Sequence, residues 1–414
     1  MIKIIPIRDI REVKPNHRSD LAQYEPVVGP ILKAVRHEGD AALLRYARQF
    51  DGLGDLPLRV PPEELAEAAA RMKPEVCRAV EAAASNIREY AVAQLPRESF
   101  REFATGRKLG WIVRPLDAVG CYIPSGRYPL PSTLLMTAVL AQTAEVPRIC
   151  VTSPKPSTEI LGCAHMLGIS EVYRVGGAQA IAAMAYGTET IGRVNRIVGP
   201  GNVYVAAAKK LLAGDVGIDF VAGPTEIVIL SEEGEPRVIA ADMLAQAEHD
   251  TTASAVLVTT SQHLAESVSA EIESQLATLP TADVAREAIN GGSAIYVVPD
   301  AQAAVDLVNV LAPEHLSLHD STLLPGIRNA GTVFLGPDSS ESAGDYAAGP
   351  SHVLPTGGAA KLRGGLSAAD FVKIISVQQL SGRALQDLAP TITTLARAEG
   401  LEAHARAVEV RSAK

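Results

Sequence analysis

The sequence predicts an α/β protein built on parallel sheets and large enough for more than one domain. Short β-branched runs alternate with helical segments from Pro115 onward. That is the pattern of buried parallel strands joined by crossover helices. Aromatic residues make up only 4% of the chain against 47% hydrophobic, which favours helix-on-sheet layers over an aromatic-rich sandwich. The length, 414 residues, allows two or more domains with a sizeable core.

Taken in order, the chain opens with Met1 to Arg11, which alternates Ile with Lys, Pro and Arg. It lacks the apolar block and small-residue cleavage site of a signal peptide. No apolar run is long enough to cross a bilayer, so the reading is a cytoplasmic protein with no membrane partner. The formal net charge of −9 and pI of about 5.6, without a basic tract, exclude nucleic acid as the expected partner. Cys77, Cys121, Cys150 and Cys163 are scattered without CxxC spacing. They read as buried thiols, so any metal would use nitrogen and oxygen ligands, which suits zinc.

Residues 26–108 read as mainly helical, with Val27, Ile31, Val35 and Leu43 at helical spacing, Leu65 to Ala70 and Val80 to Ile87 continuing it, and Pro61-Pro62 as punctuation. Their expected role is scaffold. Strands are expected at 118–123, 148–152, 171–175, 196–198, 226–230, 255–259, 294–298 and 332–335. The loop Val221–Thr225 falls between two groups of these, which makes two sheet-centred domains plausible. Gly349 to Gly365 reads as a loop, and Ser367-Ala-Ala-Asp370 as a capping box opening a helix. Residues 378–408 continue as an Ala- and Leu-rich helical tail that must dock on the body or on a second subunit.

Chemistry concentrates in a few stretches. Glycine loops follow three of the strands: Gly120 to Gly126, Val175 to Ala180, and Val198 to Asn202. Each precedes a helix start, where free amides and the dipole favour a phosphate. None completes GxGxxG, so each alone reads equally as a tight turn, while three together point to a ligand cleft. Gln246 and His249, three apart near the end of a helix that starts after Pro236, share one face. They either grip one metal ion or, as His often does there, meet the last carbonyls. Glu314-His315 puts a carboxylate beside an imidazole after a proline. In a turn the pair converges on one pocket suited to proton transfer; otherwise it is solvated. Asp345 and His352 share a Gly-rich loop, and Glu399 and His404 lie on the tail.

Taken together, VGGAQAIAAMAYGTETI, VGPGNVYVAAAK, AGPTE, QAEHD, APEHL, GDYAAGPSHVLPTGG and GLSAADF, in this order, make the chain look like the histidinol dehydrogenase family. The resemblance runs over nearly the whole sequence and is strongest from Val119 to Phe371. It implies two incomplete Rossmann-like domains with parallel-rich sheets, one inserted in the other. The first would combine residues 15–121 with 226–366 and the second, NAD-binding, would cover 122–225. A small N-terminal segment (1–14) and a helical C-terminal dimerisation tail (367–414) complete the chain.

Carried over residue by residue, the zinc ligands fall on Gln246, His249, Asp345 and His404, and the proton-transfer residues on Glu314 and His315. The substrate contacts fall on Thr225, His352 and Glu399, alongside the zinc ligands and His315. The NAD contacts fall on Tyr122, Gln179 and Asn202. In this family the histidine and glutamate matching His404 and Glu399 come from the second subunit of a homodimer. The implied reaction is the oxidation of L-histidinol to L-histidine through the aldehyde with two NAD, the last step of histidine biosynthesis. His315 would take the hydroxyl proton and Glu314 would activate water.

The chain departs from the family's usual pattern at Thr225 (usually Ser), Ser125 (the first glycine of a Gly-Gly pair that ends at Gly126), Ser351 (usually Asn) and Ala138–Glu145. Three other readings predict different behaviour. A paralogue would oxidise another polar alcohol, such as a sulfonated propanediol. A zinc hydrolase using Glu314 would need no dinucleotide, and a non-catalytic NAD-binding protein would tolerate loss of Glu314 and His315.

Overall fold

The computed structural model describes residues 1–13, 20–125 and 128–412; Gly126 and the domain boundary near residue 15 lie outside them. The chain divides into two compact units, residues 1–94 with 117–371 and residues 95–116 with 372–414.

The first unit carries two all-parallel sheets. One has six strands in the order β1 (Lys3–Pro6), β11 (Ala294–Val297), β10 (Ser254–Thr259), β9 (Glu226–Leu230), β12 (His315–Leu318) and β13 (Thr332–Leu335). The other has five, in the order β6 (Glu171–Tyr173), β5 (Ile149–Thr152), β4 (Val119–Tyr122), β7 (Arg196–Val198) and β8 (Gly217–Ile218). Strands β4, β9 and β10 are buried along their whole length, because helices cover both faces of a parallel sheet. In each sheet the chain builds outward on one side of a first strand, β4 or β9, and then crosses to the other side. The order therefore reverses between β4 and β7 and between β9 and β12. Such a reversal opens a crevice beside the sheet.

All eight expected strands form. Three in the parallel sheets are additional. β8 has two residues, too few to show a period. β12 has the sequence HLSL, whose polar first residue hides it in what reads as a turn. β1, in the segment expected to stand apart, pairs with β11.

The second unit holds an antiparallel sheet in the order β14 (Val372–Leu380), β3 (Arg107–Pro115) and β2 (Ser99–Ala104), with helices Gly382–Ala398 and Glu402–Ser412. Two expectations are corrected here. The helical reading up to residue 108 gives way to a hairpin, turned at Thr105-Gly106 with Gly106 at φ +75°, a conformation that glycine adopts freely. The capping box at Ser367 opens only a single 3-10 turn, Ala368–Phe371. Asp370 does accept from the Ser367 amide and hydroxyl, but its carboxylate also takes Arg196 and Arg363. The β-branched run from Val372 then pairs with β3 residue for residue. The tail helix begins at Gly382, capped by Ser381, whose Oγ accepts from the Ala384 amide. Among the described residues no helix is long and apolar enough to cross a membrane.

Candidate active site

A cleft of about 610 Å³ is lined by residues at the β4–β7 reversal of the five-stranded sheet, among them Tyr122, Gln179 and Asn202. The three residues expected at the cofactor thus share one cavity. The helix starts around it differ from the phosphate cradle expected. The Gly176 amide donates to Asp51 Oδ2 at 3.0 Å and the Gly177 amide to the Tyr122 hydroxyl at 3.2 Å. The Tyr204 and Val205 amides are capped by Asn202 Oδ1. Side chains therefore occupy these amides. Asp51 was not expected here, because its stretch carries helical periodicity and no motif. Burial pushes its carboxyl up, against the donors Gly176 and Gln179.

The loop after β7 is fixed from behind. Gly199 sits at φ +112° with its Cα against the Tyr122 carbonyl, where any Cβ would collide. Buried Lys209 donates to the Gly199 carbonyl at 2.6 Å and to Asp219 Oδ1 at 2.7 Å. Asp219 Oδ2 in turn accepts from the Gly199 amide at 2.8 Å.

On the other face of this loop lies a pocket of about 190 Å³, walled by Pro200 and Gly201. It brings together six of the residues singled out from the sequence: Thr225, His249, Glu314, His315, Asp345 and His352. Thr225 directly precedes β9 and Glu314 directly precedes β12. In the six-stranded sheet the site therefore occupies the amino ends of the strands at the reversal, not the carboxyl ends where such crevices usually hold ligands.

Hydrogen bonds fix the roles of these groups. Glu314 Oε2 accepts from the Thr225 hydroxyl at 2.6 Å and from the Glu226 amide at 2.9 Å, leaving Oε1 without a hydrogen bond among the described residues. His315 Nδ1 lies 3.1 Å from the Glu226 carbonyl. A carbonyl only accepts, so Nδ1 carries a proton, while Nε2 is buried, makes no hydrogen bond among the described residues and lies 3.7 Å from Asp345 Oδ1. Phe334 stacks on the His315 ring with centroids 6.0 Å apart. His352 Nδ1 likewise donates to the Asp345 carbonyl at 2.9 Å, and its Nε2 accepts from the Thr133 hydroxyl at 3.2 Å. Burial holds His352 below the usual imidazole range, which agrees with this neutral tautomer.

One residue the sequence reading missed is Glu341. It is 3% exposed, its Oε1 lies 3.6 Å from His315 Nδ1, and its Oε2 has no partner among the described residues. The signal was present: Glu341 and Asp345 are four apart on the helix Glu341–Tyr346 and share a face. Burial drives the Glu341 carboxyl up to about 8. Burial alone would lower His315, but Glu341, Glu314 and Asp345 outweigh it and raise the imidazole to about 10. Three carboxylates around one imidazole make a locally electronegative centre, a setting that favours a cation.

The donors expected to hold a metal fit one. Gln246 is fully buried; its Nε2 donates to the Thr225 hydroxyl at 2.8 Å, while its Oε1 has no partner among the described residues. His249 Nε2 is 3.8 Å from Asp345 Oδ2. An orphaned amide oxygen, an imidazole and a carboxylate are a nitrogen–oxygen donor set suited to zinc. A second possible set, His315, Glu341 and Asp345, has ligand atoms within 4.8 Å of one another and shares Asp345. His404, on Glu402–Ser412, and Glu399, which caps the end of Gly382–Ala398, belong to the second unit.

The departures have local roles. The Thr225 hydroxyl links Gln246 to Glu314, Ser351 Oγ donates to the Met136 carbonyl at 3.1 Å, and Ser125 Oγ accepts from the Lys155 amide at 3.1 Å.

Comparison with known proteins decides the family. A family model described as histidinol dehydrogenase matches residues 14–412. The chain belongs to the histidinol dehydrogenase family. It is 47% identical to histidinol dehydrogenase of Geobacillus kaustophilus over the full length of both chains, and 44% identical to that of Halalkalibacterium halodurans over 99% of each. A crystal structure of histidinol dehydrogenase from Elizabethkingia anophelis superposes with a TM-score of 0.94 at 34% identity, covering 99% of this chain and 98% of that one. Membership makes the chain an oxidoreductase of histidine biosynthesis, the activity the motifs implied.

Proposed function

We propose that this chain oxidises L-histidinol through the aldehyde to L-histidine, using two NAD and a zinc ion held by Gln246, His249 and Asp345 with His404 of a second copy. The observation that carries the reading is the loop after β7: Asn202 lines the large cleft while Pro200 and Gly201 wall the pocket of Glu314, His315 and Asp345. A dinucleotide in the first and an alcohol in the second would meet across it.

When bound, zinc supplies a Lewis acid that anchors the substrate's nitrogens, and NAD accepts each hydride. The remaining chemistry falls to the chain. His315 Nε2, once deprotonated, takes the hydroxyl proton of the alcohol. The carboxylates that keep His315 protonated are those a cation in this centre would offset, leaving it able to act as a base. Glu314, held through Oε2, uses Oε1 to take a proton from the water that adds to the aldehyde. Thr225 and His352 orient the substrate, and Glu399 of the second copy adds a carboxylate. Tyr122, Gln179 and Asn202 hold the dinucleotide.

On this reading the protein is a cytoplasmic homodimer with a shared site. We further propose its two domains as residues 15–121 with 226–366 and 122–225, with β4 at their junction pairing into the five-stranded sheet. The preferred ligand set over His315, Glu341 and Asp345 is the one whose Gln246 oxygen is otherwise unsatisfied. The test is NADH formation with histidinol, before and after chelation and with zinc restored, beside a sulfonated propanediol. Turnover of histidinol that is lost on chelation and recovered with zinc supports the reading; no turnover of histidinol ends it. Mixing a His404→Ala chain with a His249→Ala chain should restore activity that neither has alone, if the site is shared.

A further inference from the structure

We infer that Asp51 selects the cofactor, favouring a dinucleotide with a free ribose hydroxyl pair over one carrying a ribose phosphate. The inference rests on the proposal that the large cleft binds the dinucleotide, and goes beyond it in naming what is discriminated and by which atom. Asp51 lines that cleft at 6% exposure. Its two hydrogen bonds, from the Gly176 amide and Gln179 Nε2, both fall on Oδ2 at 3.0 Å. Oδ1 has no hydrogen-bond partner among the described residues. An acceptor oxygen that these two bonds do not use, on a residue of the cleft wall, can take a donor from a ligand.

The walls beside it say what brings that donor. Val27 and Phe50 are each 54% exposed and Tyr204 42%, unusual values for large apolar side chains, and all three line this cleft with Pro124 and Pro154. Together they form an open apolar surface suited to the flat face of a purine. Phe50 and Asp51 are neighbours in the chain, so a base lying on Phe50 places its own ribose at the carboxylate. Vicinal hydroxyls donate to Oδ1. A phosphate on the same ribose brings a dianion against this carboxylate, on which Lys155, also in the cleft wall, has the smallest influence, so repulsion and desolvation still disfavour it.

The experiment is equilibrium titration of the zinc-loaded protein with NAD and with NADP by calorimetry, without histidinol, for the unaltered chain, Asp51→Asn and Asp51→Ser. Asp51→Asn keeps the shape and removes the charge; Asp51→Ser keeps a hydroxyl for the Gly176 amide should the amide variant fold poorly. The unaltered protein is expected to bind NAD more tightly than NADP. Either variant should weaken NAD by roughly tenfold, the size of one charge-assisted hydrogen bond, and narrow the NAD-to-NADP ratio by about tenfold or more. A ratio unchanged in a variant that still binds NAD and melts normally overturns the Asp51 assignment and leaves the cofactor cleft standing. Failure of the unaltered protein to bind NAD at all removes the cleft reading itself.

Discussion

Replacing Thr225 with valine should uncouple the proposed metal ligand Gln246 from the proposed proton acceptor Glu314. The hydroxyl makes two bonds in line, accepting from Gln246 Nε2 at 2.8 Å and donating to Glu314 Oε2 at 2.6 Å. Valine keeps the volume and removes both. Gln246 is fully buried, so its amide loses the contact that fixes which end faces the cation and has little water to replace it. Losing an outer-shell partner of this kind raises a metal dissociation constant by roughly 10- to 100-fold, or about 1.4–2.8 kcal/mol. The Glu314 carboxylate also loses one charge-assisted bond worth about 1.5–3 kcal/mol. It keeps the Glu226 amide, so kcat should fall without a loss of fold. Thr225→Ser retains the oxygen and should stay within about threefold of the unaltered protein on both measures. Zinc affinity is read by competition with a chromophoric chelator, and kcat by NADH absorbance. A valine variant that binds zinc as tightly as the unaltered protein, with an unchanged circular dichroism spectrum, refutes this coupling.

Glu341→Gln should lower kcat by roughly tenfold or more with little change in KM, since it removes a carboxyl group 3.6 Å from His315, the proposed base; a fall in melting temperature without a fall in kcat would make the residue structural only. Asp242, raised by burial from 3.8 to about 6, binds a proton in the folded chain over a pH range where the unfolded chain does not. Its contribution to stability is therefore full below pH 3.8 and lost as pH rises through about 6. Asp242→Asn should then stabilise the protein at pH 8 by about 1–2 kcal/mol, a partly solvated fraction of the full shift, and by nothing in strong acid; denaturant unfolding at both ends checks the sign. Lys209→Met leaves the Asp219 carboxylate buried without its partner and should destabilise by about 3–5 kcal/mol, with much of that recovered in the Lys209→Met, Asp219→Asn double variant. Equal losses in the single and double variants, measured by urea unfolding, would show that the pair is uncoupled.

The parallel sheets were legible because a buried strand writes itself as a short β-branched run, and all eight such runs are strands. The pocket was legible less directly. Thr225, His249, Glu314, His315, Asp345 and His352 stand in four separate stretches, and no spacing between stretches encodes that they converge; the family motifs did that. What stayed hidden had no local period to show. β12 begins at His315 itself, so its first residue reads as chemistry rather than as strand. Asp51 follows an ordinary amphipathic helix, and only the tertiary fold brings it to Gly176 and Gln179. β14 reads as helix because Ser367 and Asp370 do satisfy a cap, yet long-range pairing with β3 overrides that local signal from Val372 onward.

The stretch Pro200–Asn202 is a partition only a few residues thick with a chamber on either side. Any coupling across so thin a wall obeys reciprocity: whatever factor occupancy of one chamber applies to affinity in the other, the reverse effect is identical. A ligand confined to the smaller chamber and coupled to the larger one through this short span would therefore feel the same factor in its own retention.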